Sequence, residues 1–178
     1  MKRASFLAWV FELGKGALIL AVIGLFVHYF IATIFAVKGE SMEPNFKDGE
    51  YLVVNRISYF IHAPNRGDVV ALKFPGREQD KYIKRIIGLP NETVEIKSGT
   101  VYINGGKLKE DYLPYYTKTS PDMIKTLRSN EYFVLGDNRD NSNDSRFWGT
   151  CPRENLLGKA IFTLFPLSDW SAVPSPAY

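Results

Sequence analysis

Residues 68–104 read DVVALKFPGREQDKYIKRIIGLPNETVEIKSGTVYIN, and this stretch decides the fold class. Its runs DVVALKF, KYIKRIIGL, ETVEIK and TVYIN are short, rich in β-branched and aromatic residues, and parted by Pro, Gly and Asn, the pattern of strands joined by tight turns. ETVEIK and TVYIN are separated only by Ser98-Gly99, which predicts a hairpin, and Asn104-Gly105 supplies a second turn signal just beyond. Outward from this stretch the same texture recurs at YLVVNR (51–56), EYFVLG (131–136) and KAIFTLF (159–165). Residues 38–178 therefore read as one mainly antiparallel β domain. Residues 105–130, with mixed polarity and with Pro114 and Pro121, read as a long loop or small excursion from it.

The amino-terminal part is different. No charged residue occurs from Gly16 to Val37, and a helix over 16–37 would reach about 33 Å, enough to cross the hydrocarbon of a bilayer. The segment is apolar on all sides, whereas a buried core helix keeps a polar stripe. It is too long for a cleavable leader, and its end, TIFAVKGE, places Ile34 where a small residue would be needed before a cut. The expectation is a short tail over 1–15, one retained anchor over 16–37, and an extramembranous domain from residue 38. His28 inside the span is read as neutral and bonded to a carbonyl or near the interface.

Composition narrows the chemistry. Two histidines and one cysteine exclude a Cys/His zinc site and an internal disulfide, so no metal is expected and Cys151 is read as a small buried residue. The net charge of +3 is concentrated before the apolar span, in Lys2, Arg3 and Lys15 against Glu12. The domain itself is close to neutral, which speaks against nucleic acid as a partner.

Hydrolysis needs a nucleophile, a proton acceptor and donors for an oxyanion. With His28 in the span, only His62 could serve a Ser-His pair, and it sits in a loop-like stretch, IHAPNRG. Lysine is the other option, provided burial or a neighbouring cation keeps its amine neutral. In KYIKRIIGL, alternation puts Lys84 on one strand face with Tyr82 and Ile86, and Arg85 on the other with Ile83 and Ile87. Lys84 is thus either such a base or a lysine whose stem packs while its head reaches water. Ser41, in VKGESMEPN directly after the apolar span, is either a linker serine or a nucleophile beside the bare backbone of Gly39. The segment GDNRDNSNDSRFWG (136–149) carries Asn, Asp and Arg in turn-forming spacing, and reads as a solvated loop or one locked by Asp/Arg pairs.

Taken together and in order, GESMEP around Ser41, RGDVV at 66–70, YIKRIIGLP at 82–90 and GDNRDNSNDSRFWG closely resemble the bacterial type I signal peptidase family in its compact, single-span form. The resemblance implies a partial-barrel β domain outside the cytoplasmic membrane, acting on signal peptides of exported preproteins at the lipid surface, without a cofactor. It implies Ser41 as nucleophile and Lys84 as general base, with Ser142 bonded to the Lys84 amine and Asp144 and Arg146 paired beside it. Asp137 and Arg139 are implied to hold the same loop. The backbone N–H of Ser41 would donate to the oxyanion; where some relatives carry a serine two residues earlier, Gly39 could offer only its backbone. Asn45 stands where the family usually has Thr. Val37, Met42, Ala71, Tyr82 and Ile83 match positions lining the pockets for small side chains before the cut. Two other readings fit parts of the sequence. One is a non-catalytic β module tethered to the membrane; the other is a self-cleaving repressor-type Ser-Lys protease, against which the lipid-spanning start argues.

Overall fold

The computed structural model of the chain describes residues 2–26 and 31–176. Helix α1 occupies Lys2–Phe26, and the first strand, β1, follows at Ala32–Ala36. The apolar stretch 16–37 is therefore not one helix. Its last part, ATIFA, is β-branched and aromatic, and it pairs antiparallel with strand β2 (Tyr51–Asn55) in the register Thr33↔Val54 and Phe35↔Leu52. That ladder meets the backbone hydrogen-bonding demand that a helix would otherwise meet. Among the described residues no helix is long and apolar enough to cross a membrane. His28 and Tyr29 lie outside the described residues.

After β2 come the short helix α2 (Ser58–Ile61), β3 (Val69–Phe74), the long β4 (Arg77–Gly88), β5 (Thr93–Lys97), β6 (Thr100–Ile103), β7 (Gly106–Lys107), β8 (Met123–Thr126) and β9 (Glu131–Leu135). The chain finishes with α3 (Ser145–Trp148), β10 (Cys151–Pro152), β11 (Leu156–Phe165) and β12 (Ser171–Ala172). The larger sheet runs β1-β2-β11-β3-β4-β9-β10 with β12 beside β11, and the smaller runs β7-β6-β5-β8. Every pairing is antiparallel. Both turn signals act as read: Ser98 and Gly99 lie at φ 50 and 83 between β5 and β6, and Asn104 and Gly105 at φ 50 and 82 between β6 and β7. Positive φ at both central residues is the turn that matches strand twist. The stretch 105–130 contributes β7 and β8 to the smaller sheet, with irregular backbone between them.

Three buried clusters hold these layers. Val37, Met42, Phe46, Leu52, Val69, Ala71 and Ile83 share one; Val70, Leu72, Ile86, Val134 and Cys151 share the second; and Ile87, Val94, Ile96, Phe133 and Leu135 join the two sheets in the third. Burial of apolar surface on both faces of β3 and β4 explains why these strands read as near-continuous apolar runs.

Strand β4 is paired on its two edges over different lengths. From Lys81 to Arg85 it pairs with β3, but β9 joins it only from Arg85 onward. Among the described residues no strand pairs with the other edge of residues 79–84; β1 is the terminal strand of the same sheet. Between the two lies a groove of about 630 Å³ lined by residues 33–38, Ser41, Met42 and residues 79–84.

Candidate active site

Ser41 sits in an irregular turn that leaves β1 and returns to β2. Val37 N–H donates to the Glu50 carbonyl and Gly49 N–H donates to the Val37 carbonyl, at 2.7 and 3.0 Å, closing the base of this loop. Met42 and Phe46, 0% and 3% exposed, pin it from within. Gly39 adopts φ +77, a left-handed conformation that glycine takes without steric cost. Its N–H donates to Asp48 Oδ1 at 2.6 Å, so the Gly39 backbone considered for the oxyanion is already committed. Among the described residues no backbone acceptor takes the Ser41 N–H.

Lys84 reaches this loop from β4. Its Nζ donates to Ser41 Oγ at 2.6 Å, and the residue is 3% exposed. Burial pushes the ammonium down to about 8, with Arg146 acting in the same direction and the carboxylates of Asp144 and Asp137 pulling it back. Desolvation therefore outweighs two anions. The alternative of a snorkelling lysine does not apply, because the amine ends at the serine hydroxyl rather than in water.

The segment 136–149 wraps the pair. Asn138 N–H donates to the Ser41 carbonyl at 3.1 Å, while the side-chain amides of Asn138 and Asn141 donate to the Glu40 carbonyl and carboxylate at 3.1 and 2.9 Å. Asp144 accepts from Arg146 Nε and Nη2, both at 2.8 Å, and from the Gly136 N–H at 3.0 Å. Both members of this ion pair are shielded, with side chains 0% and 1% exposed. Gly136 must be glycine for space: a Cβ there would stand 2.2 Å from Ser142 Oγ and 2.4 Å from the Ser41 carbonyl oxygen.

One expectation needs correction. The Ser142 hydroxyl is buried and has no hydrogen-bond partner among the described residues; it faces the bare Cα of Gly136, and the Lys84 amine is bonded to Ser41 instead. Asp137 and Arg139 each tie the loop to a residue outside it. Asp137 takes two bonds from Arg85, at 2.8 and 2.6 Å, inside a pair only 1% and 0% exposed. Arg139 binds Glu110 at 2.5 Å and the Gly136 carbonyl at 3.1 Å. Arg85 and Glu110 were missed because each is an ordinary charged residue in its own segment, and only the tertiary pairing reveals its role. Alternation did place Arg85 on the face opposite Lys84.

Of the expected pocket residues, Val37, Met42, Tyr82 and Ile83 line the groove, whereas Ala71 does not; it packs in the cluster with Val37, Met42 and Ile83. A second hollow of about 410 Å³ continues past Ser41 and Lys84 between Lys38, Glu40, Asp48 and Asn141. His62 is exposed after α2 and lines neither. Cys151 is buried and its thiol is raised to about 12, which leaves it unreactive.

The model of the family described as signal peptidase, peptidase S26, matches residues 10–165. A probable signal peptidase I-1 of Synechocystis sp. is 36% identical over 161 residues, covering 86% of this chain and 82% of that protein. A signal peptidase IB of Staphylococcus aureus is 37% identical over 185 aligned positions, covering 94% of each. Among solved structures, a signal peptidase I from Enterococcus faecalis is 35% identical and covers 55% of this chain and 97% of its own, with a TM-score of 0.49.

Proposed function

The chain belongs to the signal peptidase family, peptidase S26, a serine endopeptidase that removes signal peptides, and from that premise we propose that Ser41 and Lys84 carry the reaction. The observation that bears most weight is the bond of 2.6 Å between Lys84 Nζ and Ser41 Oγ, made by an amine that burial holds down to about 8. An amine that becomes neutral at this distance from the hydroxyl can take its proton as a general base.

The groove between β1 and β4 suits an extended peptide, which would fill the gap as an added strand and gain backbone bonds from the unpaired edge of β4. Its side chains would meet Val37, Met42 and Ile83, buried apolar residues that line the groove. Ser41 Oγ attacks the scissile carbonyl carbon as its proton passes to Lys84, and the carbonyl oxygen becomes an oxyanion facing the Ser41 N–H. Collapse breaks the C–N bond, and the Lys84 ammonium returns the proton to the departing amine. Water then attacks the acyl carbon as it gives a proton to Lys84, the ester C–O bond breaks, and the Lys84 ammonium returns that proton to Ser41 Oγ, releasing the signal peptide as a carboxylic acid.

The membrane part of the reading rests on sequence 16–31 and on α1, where Leu18, Ile19, Leu20, Val22, Ile23 and Leu25 are all more than half exposed. Lipid would cover this surface, with the β domain on the extracytoplasmic side of a bacterial membrane. The connection from β1 to Ser41 is short, so the nucleophile would work close to that surface.

Cleavage of a labelled preprotein in detergent tests the dyad. Ser41→Ala and Lys84→Arg are both expected to be inactive while folded, the latter because a guanidinium stays protonated and cannot accept a proton. Full activity in either variant would remove that residue from the mechanism.

A further inference from the structure

The stretch 105–130 sends one residue into the network behind the catalytic pair at three separate points. The Tyr112 ring lies 4.1 Å from the guanidinium carbon of Arg85, the cation that holds Asp137. The Tyr112 carbonyl accepts from Asn45 Nδ2 at 3.0 Å, and the same amide donates to Asp137 Oδ2 at 2.9 Å. The Tyr112 hydroxyl donates to Glu110 Oε1 at 2.7 Å and accepts from Arg139 Nη2 at 3.2 Å. Asn45 is in the nucleophile's own turn, Arg85 follows Lys84 in β4, and Arg139 binds the carbonyl of Gly136.

Resting on the Ser41–Lys84 reading, we propose that Tyr112 is a positioning residue through which the excursion 105–130 fixes the distance between the serine turn, β4 and the loop 136–149. The chemistry of each contact fits that role. Asn45 uses both amide hydrogens, one for Tyr112 and one for Asp137, where a threonine hydroxyl would supply only one donor. The aromatic face completes the surroundings of a guanidinium whose side chain is 1% exposed, so that the Arg85–Asp137 pair is kept dry and strong. Asp137 is the chain neighbour of Gly136, which packs against the Ser41 carbonyl with no room to spare. Slack at Asp137 is therefore transmitted to Ser41 within one residue. Tyr112 touches neither the hydroxyl nor the amine, and its effect belongs to turnover rather than to substrate binding.

The test measures kcat and KM for the full-length protein in detergent, with Ser41→Ala in parallel. Tyr112→Leu keeps apolar bulk against the third core cluster but removes the π face and the hydroxyl. It is expected to lower kcat by about ten- to a hundred-fold, the scale of an ångström-sized misplacement, with KM held within about twofold. Tyr112→Phe, which retains ring and carbonyl, should restore most of the rate. Asn45→Ala, which leaves the ring in place, should lower kcat as well, and its effect should be less than additive with Tyr112→Leu, because both act through Asp137. Wild-type kcat in Tyr112→Leu, a loss confined to KM, or damage by Tyr112→Phe equal to that of Tyr112→Leu would each overturn the proposal. So would strict additivity with Asn45→Ala. An inactive Ser41→Ala beside a fully active Tyr112→Leu sinks this inference alone, whereas an active Ser41→Ala sinks the dyad beneath it.

Discussion

Lys84 is charged in the unfolded chain at neutral pH and must be buried in the fold. Its folded-state value lies near 8, below the ordinary 10.5, so the native state binds fewer protons than the unfolded state between those values. The resulting destabilisation is present in full below pH 8, fades as pH rises from 8 to 10.5, and is gone above that. Lys84→Met is therefore expected to stabilise the protein at pH 7, by at most about 3 kcal/mol, and the gain should shrink at pH 10. Denaturant unfolding of both proteins at the two pH values checks the sign; a variant less stable than wild type at pH 7 would contradict it. This cost was only half legible in the sequence. Alternation gave the face on which Lys84 lies, but not whether its head reaches water, because that depends on a loop arriving from residue 41.

At the scale of elements, the strands were readable from their own residues, and the turns 98–99 and 104–105 from their chemistry. The boundary at the end of the apolar run was not. Residues 32–36 are as apolar as the helix before them, and only the partner strand 51–55 makes them a strand. The loop 136–149 announced its polarity, and Asp144 and Arg146 pair locally, but Asp137 and Arg139 choose partners outside it, Arg85 and Glu110. Gly136 packs against the Ser41 carbonyl, beside the bond that Asn138 N–H makes to the same oxygen. Gly136→Ala would drive a methyl into Ser142 Oγ and the Ser41 carbonyl, and is expected to lower kcat by about a hundred-fold or more. Steady-state cleavage by the folded variant checks this, and near-normal turnover would show that the loop can retreat without cost.

For the whole molecule, the groove proposed to take the peptide is a gap in the sheet, with β1 forming one lip. The domain must therefore begin before Ser41, and earlier than the polar residues at 38–40 suggest. A chain starting at Ile31 keeps β1 and is expected to fold and to cleave a short soluble peptide, while losing rate on a preprotein held in vesicles. A chain starting at Lys38 removes β1 and should lose cleavage of both. Equal activity of the two truncations on the soluble peptide would mean that β1 is not part of the groove.

The most direct measurement is the titration of the Lys84 side-chain amine itself, followed by NMR with isotope-labelled lysine and assigned by comparison with Lys84→Met. The amine is expected to lose its proton with a midpoint of about 8, matched by a rise in kcat/KM over the same pH range. A midpoint near that of an exposed lysine, about 10.4, with cleavage already maximal at neutral pH, would contradict a lysine base.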